Sequence, residues 1–419
     1  MSKRVLIIGG GVIGLSTAYH CARRGFAVTV VERNSARRDG CSFQNAGMVV
    51  PSHFIPLAAP GMVALGLKWM WNSASPFYIK PRPSWDLIDW AIKFWRAATP
   101  EHVRRAAPLL RDLCLSSRAC FEEFASLPDV DFGLVKRGLL LLCKEQATLE
   151  EEARTAEQSR ALGIPAEILD AKQTAALDPG ARLDVAGAVY FPMDCHLTPD
   201  SFMAALQLHV ENLGGEFVWD SEALDWKIEN HRHVRAVKIS SGNEIEADEF
   251  ILCGGSWSPL LARKIGLNLP IQAGKGYSLT LPSPRQLPQI CSILTEARVA
   301  VTPLAGALRV GGTMEMAGLN EDINPVRVRG IVDSFCRYFP EFRREDFDGL
   351  QPWRGLRPCS PDGLPYVGRT AKFENLSLAT GHAMLGLSLG PATGKLMAEI
   401  LSGEKPSLDI ALLSPDRYL

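Results

Sequence analysis

Gly9, Gly11 and Gly14 follow directly on the apolar run Val5–Ile8, and Glu32 closes a second apolar run, Ala27–Val31. This spacing suits the chemistry of holding a pyrophosphate. The first glycine permits a tight turn, the second lets backbone approach the phosphates, and the third lets helix pack closely on strand. Val12 and Ile13 begin that helix, whose free N–H groups and dipole face the negative charge. An apolar series, Val12, Leu15, Ala18, Tyr19 and Ala22, gives the helix a buried face, and Gly25 closes it. Glu32 can accept hydrogen bonds from both hydroxyls of an adenosine ribose and would repel a 2′-phosphate. Arg33, next to it, is placed in the same cofactor-binding set. Strand, turn, helix, strand and acid are all in place, so an ADP-containing cofactor is expected and NADP is disfavoured. The stretch alone does not separate FAD from NAD.

Three further segments bear on that choice. Gly40–His53 is a small-polar, glycine-rich loop soon after the ribose acid. Its Ser42 and Asn45 can hydrogen-bond phosphate or ribitol, and the backbone of Ala46, Gly47 and Met48 can approach a ring. In Asp248–Ser258 an apolar strand ends in Gly254–Gly255 and a serine-capped helix is expected to start. In Leu376–Leu401 a strand ends at Gly381, and a glycine-rich turn leads into an amphipathic helix. That helix would begin near Gly386, Leu387 and Ser388, where its dipole would stabilise negative charge on the N1–C2=O edge of a reduced flavin. Each segment alone is an ordinary strand–turn–helix junction. Together they favour FAD.

Five motifs beside the fingerprint carry a family resemblance. They are CSFQNAG (Cys41–Gly47), GKGYSLTL (Gly274–Leu281), RVGGTMEMAGL (Arg309–Leu319), GLRPCSPDGLPYVG (Gly355–Gly368) and GHAMLGLSLGPATG (Gly381–Gly394). The chain resembles the FAD-dependent D-amino-acid oxidoreductase family over nearly its whole length. It is most similar to the bacterial D-amino-acid dehydrogenase branch, which includes D-hydroxyproline dehydrogenases. That branch often has GHGTLGW where this chain has Gly381–Leu387. Glycine oxidases carry an arginine near Met384, which this chain lacks.

The resemblance implies an α/β fold in two discontinuous domains. A Rossmann-like FAD-binding domain would take residues 1–58, 195–266 and 356–419, and an α+β substrate domain with a mixed sheet would take 59–194 and 267–355. Helical patterns at Glu101–Leu127 and Ala147–Leu162 fit the second. So do strand patterns at Gly138–Cys143, Tyr277–Leu281, Arg298–Pro303 and Leu308–Thr313.

The activity implied is dehydrogenation of a D-amino acid or cyclic D-imino acid, with hydride passing from Cα to flavin N5. Electrons would continue to a quinone or flavoprotein. Such chemistry needs few protein groups, since positioning is most of the task. Arg357 is the expected carboxylate clamp, because its planar fork matches a carboxylate. Its other reading is an arginine that pairs with Asp362 or caps backbone carbonyls. Tyr277 is expected as a hydroxyl donor to the same carboxylate, the other reading being a core tyrosine. His382 is expected to contact the ring or the substrate, with His53 a lesser candidate. Arg298 and Arg309 are weaker carboxylate candidates. Cys359 lies close to Arg357, but its spacing does not match that of a covalent flavin thioether. Competing readings are an oxygen-using glycine or sarcosine oxidase, an NAD-linked dehydrogenase, and a non-catalytic flavoprotein. No metal-ligand spacing is present, and no metal is expected.

Composition agrees. The chain has 419 residues and a formal net charge of −1, which argues against nucleic acid as a partner. Ten cysteines without a CxxC pair fit a reducing cytoplasm. Val5–Ile8 is too short for the apolar region of a signal peptide. The longest apolar stretch, Phe54–Trp71, carries Lys68, two prolines and two glycines, and would span a bilayer poorly. Trp69, Trp71, Trp85, Trp90 and Trp95 crowd one segment with Lys68, Lys80, Arg82, Lys93 and Arg96. That mixture suits either a tryptophan-rich layer packed on the substrate domain or a peripheral membrane contact.

Overall fold

The computed structural model describes residues 2–69, 76–80 and 82–418. Trp71 therefore lies outside the described residues. Two large sheets organise the chain.

The first sheet has six strands in the order Tyr366–Arg369, Leu376–Thr380, Glu249–Leu252, Arg4–Ile8, Ala27–Val31, Glu216–Val218. All neighbours are parallel except the antiparallel pair Tyr366–Arg369 and Leu376–Thr380. The β-branched, apolar composition of its central strands follows from burial on both faces. The helix Val12–Arg23 lies on one face, where Leu15 and Ala18 are fully buried. The helix Gly386–Leu401 packs across it. On the other face a three-stranded meander, Ala223–Glu229, His233–Ile239 and Glu244–Glu246, buries Trp226, Val234 and Val237.

The second sheet has the order Trp353–Cys359, Gln272–Leu281, Ala307–Met316, Val299–Leu304, Cys291–Leu294, Leu139–Cys143, Gly187–Phe191, Glu167–Asp170, with Phe77–Ile79 also paired to Ala307–Met316. It is mixed. Cys291–Leu294 runs parallel to Leu139–Cys143, and most other pairs are antiparallel. The helix Pro325–Tyr338 covers one of its faces through Ile331, Val332 and Phe335. The strand Trp353–Cys359 crosses the expected boundary between residues 355 and 356 and stays wholly in this sheet.

Helices at Pro100–Ala125 and Gln146–Ala161 match the expected patterns to within two residues. One local expectation fails. The helix Ser258–Arg263 starts after Trp257 with no side-chain cap. The Ser258 hydroxyl is fully buried and pairs instead with Thr380 Oγ1 at 3.0 Å. The tryptophan segment divides. Trp90 is buried and donates to the Cys359 carbonyl at 2.9 Å. Trp85 and Trp95 face outward, 85 % and 65 % exposed. Among the described residues no helix is long and apolar enough to cross a membrane.

Candidate functional site

The carboxyl ends of Arg4–Ile8, Ala27–Val31 and Glu249–Leu252 open into one cavity of about 380 Å³, the place where open α/β sheets bind ligands. Gly9, Gly11, Val12, Ile13, Glu32 and Arg33 line one part of it. Ser42, Asn45, Gly254, Arg357, His382, Gly386 and Leu387 line the remainder. Residues far apart in sequence thus share one site.

At the nucleotide part, Gly14 does not touch the cavity. It packs beneath it, where a Cβ would sit 1.8 Å from the Gly9 carbonyl oxygen. The Glu32 carboxylate accepts from the amides of Gly10 (2.7 Å) and Asn34 (2.9 Å), which holds it at the turn. The helix Val12–Arg23 has no acid in its first turn. Its Val12 amide donates to Ser42 Oγ at 3.0 Å. The Arg33 guanidinium lies over the Trp257 ring, 3.6 Å from its centroid. Sequence reasoning missed Trp257, although it follows directly on the singled-out Gly254–Gly255. It also missed Arg38, which donates to the Gly10 carbonyl at 3.0 Å and lies against the rings of Phe43 and Trp219. Burial lowers Arg38 to about 10.

The helix Gly386–Leu401 brings a second N-terminus to the cavity, again with no acid in its first turn and no capping side chain. Two positive helix ends converging on one cavity fit a cofactor that is anionic at its diphosphate and at its reduced ring. The expected Ala46, Gly47, Met48 and Ser388 lie outside the lining, and hydrogen bonds within the protein hold them. Thr302 donates to the Ala46 carbonyl, Leu197 to that of Gly47, and Ser388 Oγ to that of Met48.

Arg357 is half-buried on the cavity wall. Its Nη1 donates to the Thr313 carbonyl at 3.0 Å. Among the described residues it makes no ion pair. Asp362, its alternative partner, is held by Arg417 at 2.7 and 3.0 Å. The guanidinium lies over Gly276, where a Cβ would come within 2.2 Å of Nη1.

Tyr277 is placed differently from expectation. Gly274 pairs with Arg357 and Ser278 with Trp353, so Gly276 and Ser278 share the face of Arg357 and Tyr277 faces the other way. Its hydroxyl donates to Glu315 Oε2 at 2.7 Å, and it belongs to the core under the helix Pro325–Tyr338. A one-residue step in a strand reverses the face, and the motif alone does not say which face is which.

His382 lines the cavity, but its ring turns back to Thr393, with Nε2 3.0 Å from Oγ1. Burial holds it down at about 3, so it is neutral near pH 7. His53 lies outside the lining. It pairs with Ser52, whose hydroxyl donates to the buried Asp194 at 2.5 Å. Burial pushes Asp194 up to about 7 and His53 down to about 4. Arg309 props the cofactor loop by donating to the Asn45 carbonyl at 3.0 Å. Arg298 and Cys359 are outside the lining, and burial raises the Cys359 thiol to about 12. Among the described residues no three His, Cys, Asp or Glu side chains gather as a metal site would require.

Comparison with known proteins agrees with this geometry. A family described as FAD-dependent oxidoreductase (DAO) matches residues 4–400. A D-amino acid dehydrogenase of Bradyrhizobium diazoefficiens is 32% identical over 424 residues, covering 99% of this chain and 99% of the relative. One from Granulibacter bethesdensis is 32% identical over 421 residues, again with 99% of each covered. Among solved structures, glycine oxidase from Geobacillus kaustophilus is similar with a TM-score of 0.78 at 24% identity, covering 100% of both chains. The L-proline dehydrogenase from P. horikoshii has a TM-score of 0.75 at 18% identity, over 100% of this chain and 98% of that one. These two likenesses concern the fold. With the fingerprint, the two helix ends and a family match over nearly the whole chain, this protein belongs to the DAO family of FAD-dependent oxidoreductases.

Proposed function

We propose that the protein is a dehydrogenase of D-amino acids or cyclic D-imino acids. The observation that carries the reading is Arg357, a guanidinium that among the described residues makes no ion pair, on the wall of the cavity that also holds the dinucleotide fingerprint. A planar fork with free N–H groups is a site for a carboxylate. FAD, when bound, supplies a ring that accepts hydride. The chain's own part is to grip the carboxylate at Arg357, keep the substrate in one orientation, and leave the amine neutral. His382, neutral through burial, offers no charge to compete for the carboxylate. The full-length relatives named D-amino acid dehydrogenase support the substrate class. A glycine oxidase fits less well, since Met384 stands where the resemblance would place a glycine oxidase's arginine. In this reading residues 1–58, 195–266 and 356–419 form the cofactor domain, except that Leu356–Cys359 continue a strand of the second sheet and go with the substrate domain. Residues 59–194 and 267–355 form the substrate domain.

The test is an oxygen-free titration of the FAD-loaded protein with D-alanine, D-proline, cis-4-hydroxy-D-proline, glycine, sarcosine and the L-enantiomers. Bleaching of the flavin absorbance by D- but not L-forms is expected. Bleaching by no amine would leave a non-catalytic flavoprotein. Hydrogen peroxide formed in air at the rate of dye reduction would make it an oxidase.

The electron acceptor is proposed to be a quinone met at a membrane surface. Support comes from the helix Trp85–Ala97, whose Trp85, Ile88, Ile92 and Trp95 make an exposed apolar stripe opposite the buried Leu87 and Trp90. Indole rings at both ends of such a stripe suit the headgroup layer. Sedimentation with anionic vesicles is expected, and loss of it in Trp85→Ser/Trp95→Ser. If wild-type protein stays in the supernatant, the membrane reading fails.

A further inference from the structure

Thr313 touches Arg357 on one face of the sheet and Arg327 on the other. Thr313 has φ = +63°, a left-handed conformation that a β-branched side chain rarely adopts. It sits in a bulge. Glu315 pairs with Lys275 and Gly312 with Tyr277, so Thr313 and Met314 together oppose Gly276. A bulge redirects groups that a regular ladder would keep in plane. Here the Thr313 carbonyl turns to the cavity side and accepts from Arg357 Nη1 at 3.0 Å.

The Thr313 hydroxyl points the other way and accepts from Arg327 Nη2. Arg327 comes from the helix Pro325–Tyr338 and is 2% exposed. It also reaches the Pro76 and Met314 carbonyls, each at 3.4 Å. Its Nε is 3.9 Å from Glu315 Oε2. Glu315 accepts from Tyr277, and Lys275, 1% exposed, approaches it to 4.0 Å. Lys275 is anchored in turn by the Asn320 side chain (2.8 Å) and the Asp322 carbonyl (2.7 Å). Burying two cations, a carboxylate and a phenol is expensive, and an apolar core would serve stability as well. Backbone strain of this kind persists only where the surroundings over-determine it. Both observations meet at Thr313.

We propose that Thr313 is a positioning residue for Arg357, clamped by the Arg327–Glu315–Tyr277–Lys275 cluster so that its carbonyl fixes the guanidinium over Gly276. The proposal rests on Arg357 as the carboxylate clamp. It gives the buried cluster a function and gives Tyr277 an indirect role.

The test is a double-mutant cycle on the FAD-loaded protein. The variants are Thr313→Val, Thr313→Ser, Arg357→Ala and Thr313→Val/Arg357→Ala. Each is read by KM and kcat for the fastest D-amino acid and by melting temperature. Thr313→Val keeps the shape and deletes the hydroxyl, so KM is expected to rise about tenfold with kcat within about threefold. Thr313→Ser is expected to restore KM to within about twofold, and Thr313→Val to add nothing once Arg357 is alanine. If Thr313→Val does not fold, Arg327→Lys replaces it in the cycle, with the same non-additivity expected. An unchanged KM in a folded Thr313→Val, or an equal effect with and without Arg357, overturns the proposal. An unchanged KM in Arg357→Ala overturns the clamp reading instead.

Discussion

The two parts of the cavity are built on different plans. At the nucleotide part, one unbroken stretch from Val5 to Arg33 supplies strand, turn, helix N-terminus, acid and cation. At the part proposed to hold the substrate, the groups around Arg357 come from three strands that are remote in sequence: Gly276, Thr313 and Arg357 itself. The first plan uses backbone N–H groups and needs small residues. The second uses one side chain and needs scaffolding on both faces of a sheet. The two parts should therefore fail differently. Substitutions in the first should disturb cofactor retention and fold together, and those in the second should disturb substrate alone.

The largest expected effect tests that division most directly. Arg357→Ala should lower kcat/KM for D-amino acids by about a thousandfold, on the order of 4 kcal/mol for a lost charged pair, with FAD absorbance and melting temperature unchanged. Loss of bound flavin in this variant would erase the distinction between the parts.

Next is Gly14→Ala, where the new Cβ would meet the Gly9 carbonyl oxygen at 1.8 Å. Backbone must move, at about 2 to 3 kcal/mol for an overpacked core position. Lower bound-flavin content and a lower melting temperature should appear together. Normal flavin content would show that the fingerprint tolerates what the geometry forbids.

Gly276→Ala is expected to be gentler. Its Cβ would meet the tip of a flexible side chain, Arg357 Nη1 at 2.2 Å. The guanidinium moves rather than the strand. KM should rise about tenfold, as misplacement of a clamp would cause, at constant melting temperature. A fall in stability without a change in KM would place the strain in the strand.

The smallest effect concerns pH. Burial lowers His382 to about 3 from its usual 6.5. The sign is that the folded protein keeps it neutral at every pH from about 5 to 8. Flavin reduction should rise with pH through the substrate amine and show no inflection from His382. His382→Asn should leave the profile's shape intact. An inflection near 6.5 that vanishes in the variant would return His382 to an acid–base role.

The sheet around the fingerprint was legible because period and punctuation agree locally. Apolar runs, three glycines and Glu32 leave one arrangement open to Val5–Arg33. The helices Pro100–Ala125 and Gln146–Ala161 were legible for the same reason. Arg357 was legible as a candidate from its motif. Its freedom was not, because that depends on Arg417 having taken Asp362, and Arg417 is remote in sequence. Tyr277 was misread because face alternation in a strand is invisible until a neighbouring strand fixes the register. Trp257 and Arg38 were missed because stacking partners carry no spacing signal. The stripe Trp85–Trp95 was visible as composition, while the inward turn of Trp90 was not.

The sequence by itself determined the dinucleotide turn, the acid Glu32 at the end of the second strand, and the presence of two helix starts rich in glycine. These are short-range matters of backbone freedom and charge. Only the tertiary structure decided that both helix ends meet in one cavity, and that Arg357 stands there with no ion pair among the described residues. It also decided that a bulge at Thr313 ties the arginine to a buried cluster behind the sheet. Those are contacts between distant segments, and strand register and burial set them.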